Sequence, residues 1–363
     1  MNTHVRLTET EIKLRLDPKL SEQVLRHPQV LQRLQGNWQH CELFNQYYDT
    51  PELSLDSKAL ALRLRRDGDQ VIQTLKGRGQ SVAGLSVRNE WDWYLDTEHL
   101  ATELLQQPGL PTALASLDTQ RLQPLFRTDF HRRKACLRWQ RGTDTVEVEL
   151  ALDFGEVVSA DKREPLSELE LELRSGPPEA LMELAVSLSE TLPLLPWDSA
   201  KAERGFRLID PTRVPALPPI GGWTLDTSIN AILARLTQCL IARAVCWSER
   251  LYLNDAAAPQ GIKDTLRLMI SVLEGQPQPT GLSMHLIPRL ASLIDDIADT
   301  PDAVRTLIST RGNWGWLILS LSSASAKLAA QAGPAFTDWK QAAATDSGAV
   351  QALITLIEER AGD

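Results

Sequence analysis

The chain has 363 residues, 43% hydrophobic and 23% charged, with 47 acidic against 38 basic side chains and a formal net charge of −9. That length suits two domains at roughly 150 residues each, both able to bury a core, and the acidic balance argues against general nucleic-acid binding, which needs basic surface. Four scattered cysteines (Cys41, Cys136, Cys239, Cys246) without a CxxC pair speak against a zinc or disulfide scaffold; with no apolar N-terminal stretch and no uninterrupted apolar run of about 18 residues, a soluble, reducing, cytoplasmic setting is expected.

Alternation predicts strands over 7–16, 44–49, 59–66, 70–76, 86–95, 145–153 and 167–174, with an eighth over 128–138. Asp67-Gly68 between two of them is a hairpin signature. Helices are expected over 18–34, 98–108 and 178–190, the last behind Pro177-Pro178. The stretch from Pro211 to Gly222 holds four prolines and two glycines and reads as a linker. It separates a strand-rich domain, 1–210, from a helical one, 223–363. In the latter, helices are expected over 225–253, 261–273, 283–298, 301–325 and 348–360, punctuated by Pro277, Pro279, Pro288, Pro301 and Pro334.

The strands share one peculiarity. In LTETEIKLRL (7–16), Glu9, Glu11, Lys13 and Arg15 fall on one face, with Thr10, Ile12, Leu14 and Leu16 on the other. The same holds for Arg63 and Arg65; for Arg88, Glu90 and Asp92; for Glu147, Glu149 and Asp153; and for Glu168, Glu170 and Glu172, while Thr74 and Lys76 end another strand. An open sheet would turn these faces to water, and a closed barrel would line its interior with them. Like charges in a row repel unless compensated. A ligand of both signs would compensate them, with divalent cations on the carboxylates and an anion on the guanidinium groups. Together they suggest a metal–polyphosphate site.

Glu9-Thr10-Glu11-Ile12-Lys13 matches the ExExK signature of the CYTH, or triphosphate tunnel metalloenzyme, superfamily. In chain order YYDTPELSLDSKALALRLRR (47–66), QTLKG (73–77), VRNEWDW (87–93), FRTDFHR (126–132), VEVELALDFGEV (146–157), SELELELRSG (167–176) and SAKAERGFRL (199–208) resemble its further blocks. The resemblance spans about residues 5–210 and implies an α+β fold: an eight-stranded antiparallel closed tunnel flanked by helices, followed here by an all-α bundle. It further implies that Glu9 and Glu11 ligate metal, with Asp153 and two of Glu168, Glu170 and Glu172 on the far wall, Glu170 belonging to either alignment. Lys13, Arg63, Arg65, Lys76, Arg88 and Arg132 become phosphate contacts, and Lys201 resembles the lysine near the closing helix. Lys13 and Glu170 are the residues carried over as catalytic.

The implied activity is Mg²⁺- or Mn²⁺-dependent hydrolysis of inorganic tripolyphosphate to pyrophosphate and phosphate. Other tunnels of this kind act as class IV adenylate cyclases or thiamine triphosphatases, and a non-catalytic polyphosphate or nucleotide binder is a further alternative; neither nucleic acid nor membrane is implied as a partner. Chains with a helical CHAD-type second domain resemble the bacterial inorganic triphosphatases. This second half departs from CHAD domains, which are basic and histidine-bearing: from residue 211 it carries 12 Lys and Arg against 14 Asp and Glu, and one histidine, His285. It reads as a shortened, degenerate CHAD-like bundle with a scaffold role. The glycine-rich Gly77–Gly84 matches no nucleotide loop and reads as a hairpin loop. His131 has the opposite strand parity to Arg132 and reads as a surface residue, and Trp91 and Trp93 read as core.

Overall fold

The computed structural model describes residues 5–77, 79–276, 281–311, 313–343 and 347–362; Pro277 and Pro279 lie outside the described residues. It forms two units, residues 1–181 with 199–214 and residues 182–198 with 215–363.

The first unit is built on strands β1 (Val5–Arg15), β2 (Leu34–Asp49), β3 (Leu60–Asp67), β4 (Gln70–Gly77), β5 (Gln80–Val82), β6 (Leu85–Leu95), β7 (Gln123–Arg141), β8 (Asp144–Ser159) and β9 (Lys162–Ser175). Eight of them run in the antiparallel order β1–β9–β8–β7–β2–β3–β4–β6. β6 pairs back onto β1, Glu9 opposite Arg88, and closes the barrel. Closure decides between the two architectures that alternation leaves open: the charged rows line a lumen. β5 is a short ribbon on β6, inside the stretch expected to be only a hairpin loop.

Several strands are longer than alternation suggests, because register with a neighbour extends them past the alternating core. β2 begins at Leu34, ten residues before the expected strand at 44. It takes the end of the predicted helix 18–34, which breaks into α1 (Ser21–Leu25) and α2 (Pro28–Leu31). Pro28 forces His27 out of the helical region (φ −62°, ψ 134°) and ends the first piece. The β3–β4 hairpin has Asp67 opposite Gln70, so its loop is Gly68-Asp69 with Gly68 at φ +58°. Glycine leads this loop, as in a II′ turn. After β2, the Asp49 carboxylate accepts from the backbone N–H groups of Thr50, Leu55 and Asp56 at 2.7–2.9 Å, which folds the YYDTPELSL turn.

The outward face of β3, β4 and β6 presents Leu62, Leu75, Trp91 and Trp93, covered by Leu104, Leu105 and Leu114. The predicted helix over 98–108 is only a short 3₁₀ turn, Thr102–Gln106. The Gln73 side-chain amide holds its approach, bonding both the N–H and the C=O of Ala101 at 2.9 and 3.2 Å.

Helix α3 (Glu179–Ser189) follows the barrel strands, and α4 (Lys201–Ile209) returns to the first unit. α4 packs on the inner face. Its Phe206 clusters with Tyr47, Phe126 and Val157, which alternate in phase with Asn45, Arg132 and Asp153. Thus the inner rows are not charged end to end; an apolar layer in them receives α4. The fit is close: a Cβ on Gly205 would stand 2.1 Å from ring carbons of Phe126.

The second unit holds α5 (Ile229–Leu251), α6 (Ala258–Glu274), α7 (Gly281–Asp296), α8 (Pro301–Thr310), α9 (Asn313–Ala329), α10 (Phe336–Ala342) and α11 (Gly348–Glu359). The single helix expected over 301–325 is thus two, and α10, whose N-cap Ala335 makes no side-chain hydrogen bond, lies outside every expected helix. α5 is long and apolar enough to cross a membrane by length and composition, with mean hydropathy 1.4 in its most apolar window, yet 67% of that window is buried inside the protein. The Pro-rich 215–222 segment does not dangle as a linker would. Arg243 donates to the Pro218 carbonyl at 2.8 Å and the Cys246 thiol to that of Pro215 at 3.4 Å, strapping it along α5.

Candidate active site: the charged lumen

Register sets the site's geometry, because residues directly opposite on paired strands point to the same side. One lateral row runs Arg15–Glu168–Asp153–Arg132 across β1, β9, β8 and β7; the next runs Lys13–Glu170, and a third Glu11–Glu172–Glu149. On the other flank of β1, Glu9 faces Arg88, and Glu90 faces Lys76 beyond it. Arg63 and Arg65 lie on β3 opposite Tyr47 and Asn45.

The predicted cations and carboxylates meet in two ion-pair networks. In the first, Glu9 accepts from Lys76 at 3.1 Å and Arg88 at 2.7 Å, and Arg88 also reaches Glu11. Lys76 bridges on to Glu90 at 2.8 Å, which holds Arg63 at 3.3 Å. In the second, Lys201 Nζ sits 2.9, 2.8 and 2.6 Å from Asp153, Glu168 and Glu170. Arg132 bonds Asp153 at 2.7 Å and also Glu170. Lys13 Nζ donates to the Ser199 carbonyl at 3.2 Å, and Arg65 Nε to Asn45 Oδ1 at 2.7 Å. Glu172 lies apart from the Lys201 network, paired with Arg174 at 2.6 Å.

These pairings separate the acids. Burial alone would raise Glu9, Glu168 and Glu170, but the adjoining cations outweigh it: Lys76 and Arg88 hold Glu9 well below the usual range, and Lys201 and Arg132 do the same for Glu170. Lys201 and Arg204 bring Glu168 to about 2. Glu11 and Glu172 go the other way. Burial raises Glu11, and Arg88 does not offset it against the like charges of Glu9 and Glu170. Burial lifts Glu172 to about 7, with Glu9 and Glu149 adding to it. The less compensated acids are therefore Glu11 and Glu172, which face each other across β1 and β9.

An oxygen-only donor set of this kind fits a hard divalent cation such as Mg²⁺ or Mn²⁺. Asp153, Glu168 and Glu170 bring one oxygen each within 4.8 Å of one another, but the Lys201 ammonium already touches all three. Glu11, despite its contact with Arg88, and Glu172, despite Arg174, are the less compensated acids of the lumen, and they lie opposite each other on β1 and β9.

Four further residues take part to which neither the strand pattern nor the family resemblance assigns a role. Arg204 is fully buried and bonds Glu168 and Glu164 at 2.7 Å each; its signal was the three-residue spacing from Lys201 in KAER, which puts both on one helix face. Glu90, on the charged face between Arg88 and Asp92, compensates Arg63 and Lys76. Asn45 and Thr128 carry no charge, and nothing in the alternation marks them. His131 lies on the barrel exterior, 3.5 Å from Glu42 with 74% of its side chain exposed, and Arg133 pairs with Glu22 at 2.8 Å.

The CYTH domain profile matches residues 7–206, more than half of the chain and all of the lumen-lining strands from Leu7 onward. The chain belongs to the CYTH domain family. A Haemophilus influenzae protein named inorganic triphosphatase is 30% identical over 207 residues, covering 56% of each chain. The chain thus spans just over half the length of that curated relative. Among solved structures, a Hippeastrum protein described as having a dominant triphosphatase activity is 19% identical, over 57% of this chain and 97% of its own, with a TM-score of 0.41. A Bacillus halodurans protein is 18% identical over 51% of this chain and 90% of its own, with a TM-score of 0.31. The CYTH barrel of this chain rests on its own strand register and on the profile match, not on these shape scores.

Proposed function

We propose that the CYTH barrel hydrolyses a linear triphosphate, with inorganic tripolyphosphate as substrate and pyrophosphate and phosphate as products. The observation that carries this reading is a closed lumen in which Glu9, Glu11 and Glu170 stand among Lys76, Arg88, Arg132 and Lys201, each acid within ion-pair reach of a cation. The relative named inorganic triphosphatase supports it.

A polyphosphate chain entering the lumen offers the guanidinium and ammonium groups better acceptors than carboxylates that are also wanted elsewhere. Arg63, Arg65, Lys76, Arg88, Arg132 and Lys201 bind and extend the anion, the arginines by forked donation and the lysines as point charges. Releasing Arg88 and Lys201 leaves Glu9, Glu11 and Glu170 to hold Mg²⁺ or Mn²⁺, which when bound neutralises phosphate charge and acidifies water. Glu170 orients the attacking water, and Lys13 donates to oxygen that gains charge. Phosphoryl transfer demands mainly positioning and charge stabilisation, which a preorganised lumen supplies.

The test is phosphate release from tripolyphosphate, ATP and thiamine triphosphate, each with Mg²⁺ and with Mn²⁺. Preferred turnover of tripolyphosphate is expected. Preference for ATP with cyclic AMP as product, or for thiamine triphosphate, would overturn the substrate assignment.

A further inference from the structure

The lumen's cations are not equivalent. Among the described residues Arg63, Lys76, Arg88, Arg132 and Lys201 each contact at least one carboxylate, and none contacts Arg65 within ion-pair distance. Among the described residues Arg65 spends only its Nε, on the Oδ1 of Asn45 at 2.7 Å. Asn45 in turn donates from Nδ2 to the Thr128 carbonyl at 3.2 Å. Register places the three side by side, Asn45 opposite Arg65 on β3 and opposite Thr128 on β7. Asn45 and Thr128 are wholly buried, and the Thr128 hydroxyl has no hydrogen-bond partner among the described residues.

The choice of amide over acid matters. Asparagine and aspartate have nearly the same shape, but only aspartate would cancel the charge of Arg65. An amide satisfies Nε, fixes the plane of the guanidinium and leaves both terminal nitrogens and the full positive charge available. Arg63, Lys76, Arg88, Arg132 and Lys201 must first give up a carboxylate before gripping an oxyanion, and Lys13 spends its ammonium on the Ser199 carbonyl and has no fork to offer. We infer that Asn45 is a positioning residue that holds Arg65 as a preformed oxyanion subsite, and that this subsite takes a phosphoryl group carrying no metal ion, ahead of metal loading. The inference deepens the triphosphate reading and rests on it.

Calorimetric titration of the full chain with tripolyphosphate and with pyrophosphate in excess EDTA tests it. The unaltered chain is expected to bind both without metal. Asn45→Asp should weaken binding about tenfold or more, because it neutralises Arg65 within one strong ion pair. Arg65→Lys keeps the charge but loses the fork and the Asn45 bond, and should weaken it similarly. Asn45→Ala should weaken binding in the native background and add almost nothing in the Arg65→Lys background, since coupled residues are non-additive. A purely structural role for Asn45 predicts equal losses in both backgrounds, and that result overturns the assignment. So does absence of metal-free binding, or an Asn45→Asp chain that binds as the native one does. Metal-dependent phosphate release is measured separately: its absence in the native chain overturns the hydrolase reading while the binding curves still decide the subsite, and hydrolysis with binding indifferent to Asn45 overturns the subsite alone.

Discussion

The guanidinium of Arg204 meets the carboxylate of Glu168 at 2.7 Å, and neither side chain is exposed to solvent. Arg204 also bonds Glu164 and the Pro165 carbonyl, so a residue of α4 ties three points of β9 from inside the barrel. Breaking a buried pair by deleting one partner leaves the other charge stranded. Arg204→Met is therefore expected to lower unfolding free energy by ~3–5 kcal/mol, measured by urea denaturation with an unchanged m-value. A loss below about 1 kcal/mol, the range of exposed pairs, would show that the contact does not hold α4.

The same pair sets an acid limit. Lys201 and Arg204, against the opposing effect of burial, bring the folded Glu168 carboxyl to about 2, below the ordinary glutamate range. A depressed acid contributes stability that is fully present above its unfolded pKa and is lost as pH falls through the folded value. Urea midpoints of the native chain and of Glu168→Gln should therefore differ most near neutral pH and converge as pH drops from about 4.5 toward 2. A constant difference over that window would remove Glu168 as the titrating group.

Gly205→Ala sets two opposed effects against each other. In a helix interior alanine is favoured over glycine by about 1 kcal/mol. The new Cβ would lie 2.1 Å from Phe126, whose ring is wedged between Tyr47 at 4.7 Å and Phe206 at 5.1 Å and cannot swing aside. Overpacking of this kind costs ~1–3 kcal/mol, so net destabilisation and a lowered melting temperature are expected.

Glu9→Gln and Glu11→Gln retain size and remove charge. Under the proposed mechanism each should reduce metal-dependent phosphate release from tripolyphosphate by about 100-fold or more. Raised metal concentration should recover part of the loss if the carboxylate acts as a ligand. Near-native turnover in either variant would remove that residue from the metal site.

Burial pushes the Cys246 thiol up to about 12, with Glu249 adding to it, and the thiol donates to the strap at Pro215 and Ala216. Thiolate is the reactive form. At pH 8 an alkylating reagent should label exposed Cys136 readily and leave Cys246 unmodified until the chain is unfolded. Peptide mapping after brief iodoacetamide treatment checks this, and fast labelling of native Cys246 would mean that the strap opens.

Alternation alone determined that Glu9, Glu11, Lys13, Arg63, Arg65, Arg88 and Glu170 occupy polar strand faces, because a strand's period of two is written in consecutive residues. The apolar partners, Ile12, Leu14, Leu62, Leu169 and Leu171, were legible for the same reason and are all buried. Only the tertiary structure decided that those faces look inward, since closure depends on β6 pairing with β1, a contact between strands about eighty residues apart. It also decided which acid meets which cation. Lys201 joins Asp153, Glu168 and Glu170 because α4 folds back onto the inner face, and no local pattern encodes that return. Asn45 was invisible for a related reason: an uncharged side chain acquires its significance only from the arginine placed opposite it. Charge and periodicity are local properties, whereas compensation of charge is a property of neighbours in space.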